Sequence, residues 1–141
     1  MKKLWLIASL IICMACDEDY SVDPTLLPPV TTTGEETLGC LVDGWVYSSE
    51  RFGYPVVRIY SVENGDSVVV RANVGREGEL FTFSMINPEE GKTIPYMDSA
   101  LNGKKLENGL VTVSRMGGGV LSGTFEGGSV TRGRFDVKYN K

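Results

Sequence analysis

The chain has 141 residues, 42% of them hydrophobic, which suits one compact domain with an ordinary core. It carries 18 acidic against 14 basic residues, a net charge of −4 and a pI near 4.9. Its Lys and Arg are spread along the chain with at most two in a row, so the clustered positive charge that phosphate neutralisation requires is missing and nucleic acid is not expected as a partner. Histidine is absent, which excludes a Ser-His-Asp triad, a Cys-His nucleophile pair and Cys/His zinc sites together.

In chain order, Lys2 and Lys3 precede an uncharged apolar run from Leu4 to Ala15, the pattern of a secretory signal peptide. The run is shorter than the roughly 20 residues a helix needs to cross a bilayer, so residues 1–15 read as an export signal that is removed. Cys13-Met14-Ala15-Cys16 resembles the bacterial lipoprotein box, with the small residue Ala15 before the cut. The resemblance implies that Cys16 becomes the first mature residue, carrying a thioether-linked diacylglycerol and an N-linked acyl chain such as palmitate. Several chains anchor firmly where one binds only marginally, so the membrane is the first expected partner. The alternative is an ordinary signal peptide cut at Ala15, with Cys16 left as a free thiol.

Asp17, Glu18 and Asp19 follow directly. An acidic cluster after the lipidated Cys resembles the signal for surface display in outer-membrane lipoproteins of the Bacteroidota; the plainer reading is a solvated spacer. Cleavage removes two of the 14 basic residues and none of the 18 acidic ones, so the mature chain is more negative than the −4 of the whole. Such a body should stand off from a negative membrane surface.

From Tyr20 to Thr37 the chain is rich in Pro and Thr and shows no period of 2 or 3.6, which reads as a flexible tether over residues 16–37. The other reading has Leu26, Leu27 and Val30 pack on the domain as an irregular arm. Residues 38–141 then change character: runs of Val, Phe, Tyr and Thr alternate with Gly, Asn and Asp, and no window carries a helical stripe. Asp43-Gly44 between apolar pairs predicts a tight hairpin, because both central positions of such a turn need positive φ. Asn64-Gly65 predicts a second hairpin between Val56–Val62 and Val68–Val74. Leu80–Ile86 reads as a strand, residues 88–108 as irregular with one short strand or a helical turn near Asp98 to Leu101. Leu110–Met116, Val120–Glu126 and Val130–Tyr139 read as a closing antiparallel meander. About eight strands in this length make an all-β antiparallel two-layer sandwich or partly closed barrel.

Leu38-Gly39-Cys40-Leu41-Val42-Asp43-Gly44, Leu121-Ser122-Gly123-Thr124-Phe125-Glu126 and Thr131-Arg132-Gly133-Arg134-Phe135-Asp136-Val137-Lys138-Tyr139 bracket the whole domain. Together they resemble a family of small Bacteroidota lipoproteins defined by a domain of unknown function. The resemblance implies an exported all-β lipoprotein and transfers no catalytic or binding residue.

No catalytic residue, metal ligand or cofactor is expected. Glu89-Glu90 is a pair adjacent in sequence, whereas glycosidase chemistry needs carboxylates facing each other across a cleft. Cys40, in a strand and without a partner base, reads as a buried thiol. Trp45, Tyr47, Phe52, Tyr54 and Tyr60 read as core; exposed together, Phe52 and Tyr54 would instead make a ligand-binding platform. Two functions follow. One is a non-catalytic module at the outer membrane that binds an envelope protein or a glycan. The other is a lipocalin-like small-molecule carrier, its cavity lined by Phe81, Phe83, Phe125 and Phe135.

Overall fold

The computed structural model describes residues 27–63, 65–75 and 78–139. The protein is all-β, and among these residues there is no helix. Ten strands run in chain order as β1 (Thr37–Val42), β2 (Trp45–Ser48), β3 (Val56–Val62), β4 (Gly65–Asn73), β5 (Leu80–Ile86), β6 (Thr93–Leu101), β7 (Lys104–Lys105), β8 (Gly109–Gly117), β9 (Val120–Gly127) and β10 (Val130–Lys138). All ladders are antiparallel and form one sheet, ordered β2-β1-β10-β9-β8-β6-β5-β4-β3, with β7 appended to β6. First and last strands pair, Leu38 opposite Phe135, side by side next to the β2 edge of the sheet.

The sheet curls into a half-barrel, and β3 comes back close to β10 without a ladder between them. Bulges drive the curl, because an extra residue on one strand bends it and adds twist. They lie in the β1/β10, β9/β10, β5/β6 and β8/β9 ladders. Asp98 and Arg132, at φ 53° and 51°, are the left-handed residues of two of them.

The turns behave as their residues dictate. Asp43 and Gly44 take φ of 52° and 81° and join the facing pair Val42 and Trp45. Gly118 and Gly119 do the same between β8 and β9, at 63° and 77°. In β4 the predicted alternation holds: Val68, Val70 and Ala72 are buried, as are Phe81, Phe83 and Met85 opposite them in β5.

Residues 88–108 are more regular than expected. Instead of a short strand or helical turn, β6 is a nine-residue strand at the centre of the sheet, with Tyr96 buried. Pro95 obscured it, since proline cannot donate to a ladder. Here Pro95 lies beyond the β5 ladder, whose last pair is Met85 and Tyr96, so it has one neighbour only, opposite Leu110 of β8.

The stretch read as tether also differs at its end. Leu27 and Pro28 are buried, and a β-carbon on Gly39 would stand 2.5 Å from Pro28 Cδ, so the arm lies flat on β1. Residues 31–35 then cross to Asp136 of β10. Backbone amides of Thr33, Gly34 and Glu35 and the Thr31 hydroxyl all donate to its carboxylate, at 2.6 to 3.2 Å. Arg134 donates to Pro28 O and Arg115 to Thr32 O. Composition alone concealed this, because the arm is held by its backbone groups; of the apolar residues proposed to pack there, Leu27 does, Val30 is exposed and Leu26 lies outside the described residues.

Candidate functional site

Alternation along β3 sets up two chemically different faces. Val57 and Ile59 pack against the core, whereas Val56, Arg58, Tyr60 and Val62 point outward. Tyr54, just before the strand, is 75% exposed, and Val56 and Tyr60 about half exposed at 48% and 51%. Because β3 ends the sheet, this row of apolar side chains sits where proteins usually place charges to block edge pairing.

Register brings Arg71 of β4 opposite Val56, Val69 opposite Arg58, and Leu80 of β5 opposite Asn73. The result is an open groove of about 230 Å³ lined by Tyr54, Val56, Arg58, Arg71, Ala72, Asn73 and Leu80. No carboxylate belongs to the lining. Among the described residues the side chains of Arg58 and Arg71 make no ion pair and no hydrogen bond; the ion pair found there is Lys92 with Glu89, at 2.9 Å. Asp98, an acid of β6, takes a 3.4 Å hydrogen bond from Ser84 Oγ instead. Arg115 and Arg134, by contrast, are occupied in holding the arm.

A larger groove of about 560 Å³ crosses β8–β10 beside Thr112, Thr124, Glu126, Arg132 and Arg134. Several of its polar groups have partners: Thr112 hydrogen-bonds Thr93 at 2.9 Å, Glu126 accepts from Arg132 N at 3.4 Å, and Arg134 donates to Arg132 O at 2.8 Å, while the Arg132 guanidinium has none among the described residues. A carboxylate, Glu126, shares this lining with Arg132 and Arg134, unlike in the β3–β5 groove.

The interior holds Phe81, Phe83, Tyr96, Phe125 and Phe135, each at most 1% exposed. Around Phe83 and Phe125 the contacting rings have centroids 4.8 to 6.0 Å apart, within the range of favourable ring contacts. Burial pushes the Tyr96 hydroxyl up to about 12, with the charges of Cys40 and Glu126 acting in the same direction, and that hydroxyl has no hydrogen-bond partner among the described residues. Cys40 is a free, buried thiol; burial raises it to about 12 against the smaller opposing effect of Arg134.

Of the residues proposed from sequence, Cys16, Asp17, Glu18 and Asp19 lie outside the described residues. Phe52 and Tyr54 are not presented together: Tyr54 lines the groove, while Phe52 is half-buried in the turn where its amide donates to Ser49 O. Trp45, Tyr54 and Tyr60, read as core, are exposed, and Tyr47 is half-buried. Sequence reasoning missed Arg58 and Arg71. The signal was ambiguous, because V-V-R-I-Y-S-V is apolar on both alternations and only the curl decides which faces inward.

Comparison of the chain with protein-family models, with curated proteins and with solved structures finds no match.

Proposed function

We propose that the protein is an exported lipoprotein, anchored in the outer membrane through acyl chains on Cys16, whose β domain is a non-catalytic binding module presenting the outer face of β3–β5. The observation that carries the binding reading is the open groove at an unpaired sheet edge, with Tyr54, Val56 and Tyr60 facing solvent and two unengaged arginines beside them. Mutual contact of the Phe81, Phe83, Phe125 and Phe135 rings favours this over the carrier, which needs space between those rings.

The anchor reading is supported by Lys2 and Lys3, the apolar run and the cysteine after Ala15. Because the arm is docked from Leu27 onward, the spacer available between Cys16 and the domain is residues 17–26, which extended reaches at most about 35 Å. The binding face therefore works close to the membrane that holds it.

Protease shaving of intact cells, with mass analysis of the N-terminal peptide, tests the address. An acylated Cys16 is expected, and an unmodified N-terminus at that position sinks the anchor. Loss of the domain from whole cells assigns the module to the cell surface and Asp17 to Asp19 to its display; protection assigns it to the periplasmic face and makes those acids a spacer.

A further inference from the structure

We propose that the β3–β5 groove recognises an acidic saccharide, a sugar unit bearing a carboxylate or sulfate, which Arg58 and Arg71 hold by its charge while Tyr54 receives the ring. This rests on the reading of the domain as a binding module and adds the class of ligand.

The charge pattern points to an anion. In a chain of net charge −4, the groove contains two exposed guanidinium groups and no carboxylate. Neither guanidinium has a partner among the described residues, although the arginines on the arm-covered face do. A guanidinium presents a rigid fork of donors that matches a carboxylate or sulfate bidentately, and such charge-assisted bonds are the strong ones. Since Val56 faces Arg71 and Arg58 faces Val69, the two arginines are diagonal neighbours on adjacent strands, with β-carbons about 7 Å apart. One anionic group between them, or two along a chain, is within reach of both.

The remaining lining suits a sugar. Tyr54, Val56 and Leu80 give an apolar patch against which the flat face of a ring can stack, and the Asn73 amide supplies a donor and an acceptor for hydroxyls. At about 230 Å³ the groove is smaller than the roughly 300–1,000 Å³ of pockets that enclose a whole small molecule, so it fits one short stretch of a longer chain. It lies across the faces of β3, β4 and β5 rather than along the free edge of β3, which disfavours a peptide added as a further strand.

The test is titration calorimetry of the full chain, purified in neutral detergent, with oligogalacturonate and with a sulfated heparin oligosaccharide as probes. Binding of at least one is expected, weakening with salt. Arg58→Ala and Arg71→Ala should each reduce affinity about tenfold or more, as should Tyr54→Ala. Methyl-esterified oligogalacturonate, which keeps the rings and loses the charge, should bind correspondingly less. Equal binding of the ester, or unchanged affinity in both arginine variants, overturns the proposal. So does binding to anionic phospholipid vesicles through the same arginines with no response to either saccharide. If neither probe binds, the acidic saccharide is wrong, and a photo-crosslinking residue at position 54 in living cells separates the remaining cases. A protein adduct means that the module stands with a different ligand; no adduct of any kind means that the binding reading falls as well.

Discussion

The ring of Phe135 lies over Gly123, its direct partner across the β9/β10 ladder, and Phe125 lies over Gly133 in the same way. Each glycine is the socket for the phenylalanine opposite, so the aromatic core reaches down to the backbone of the sheet. A β-carbon on Gly133 would stand 2.5 Å from Phe125 Cδ2, and one on Gly123 would stand 3.0 Å from Phe135 Cζ.

Gly133→Ala should therefore destabilise by about 2 kcal/mol, the scale of overpacking a filled core. Denaturant unfolding of the double variant with Phe125→Leu measures the coupling. The leucine should cost less in the alanine background than in the native chain, by at least about 0.5 kcal/mol; strict additivity would show that the ring and the glycine do not press on each other.

Asp136 gives the fold a pH dependence. Burial pushes its carboxyl up, but the hydrogen bonds from Glu35 N, Ser122 Oγ, Thr31 Oγ1 and Gly34 N more than offset this, so its pKa ends below the ordinary aspartate value. A carboxyl with a depressed folded pKa adds stability that is fully present above its unfolded pKa, about 3.9, and is lost as pH falls through the folded value. Asp136→Ala should cost about 3 kcal/mol at neutral pH, since several charge-assisted bonds to the arm go with it. The loss should shrink below about pH 4; a loss that stays constant down the acid limb would mean that the carboxylate charge does not hold the arm.

Cys40 should be inert in the folded protein. With its thiol raised to about 12 and no exposed surface, almost none is thiolate near neutrality. Iodoacetamide labelling followed by peptide mapping should show Cys40 unmodified in the native chain and modified in denaturant. Fast native labelling would mean that β1 opens readily.

Residues of the groove should be dispensable for folding. Tyr54→Ala, Arg58→Ala and Arg71→Ala remove exposed side chains, so each should shift stability by no more than about 0.5 kcal/mol. A thermal melt decides: a loss of 2 kcal/mol or so in any of them would make that residue part of the scaffold.

What could be read in advance was whatever local chemistry decides. Asp43-Gly44 and the glycines before Val120 require positive φ, and turns formed there. Val68-x-Val70-x-Ala72 has apolar residues on one alternation, and that face went inside. The candidate site lacked such a signal. In Val56-Val57-Arg58-Ile59-Tyr60 both alternations are apolar, so the outward direction of Tyr60 and the nearness of Arg58 to Arg71 depend on cross-strand register, which no local residue encodes.

By itself, then, the sequence determined an all-β chain, its hairpins and the absence of any histidine chemistry, because turn residues and period-two burial act within a few positions. Only the tertiary structure decided that β1 pairs β10, that Pro95 stands inside a central strand, and that Asp136 holds the arm across about a hundred residues of separation. The physical reason is the same in each case. Those contacts depend on which distant segments the curvature of many strands brings together and, in the arm, on backbone amides as donors, so a partner such as Asp136 cannot be picked out from its neighbours in sequence.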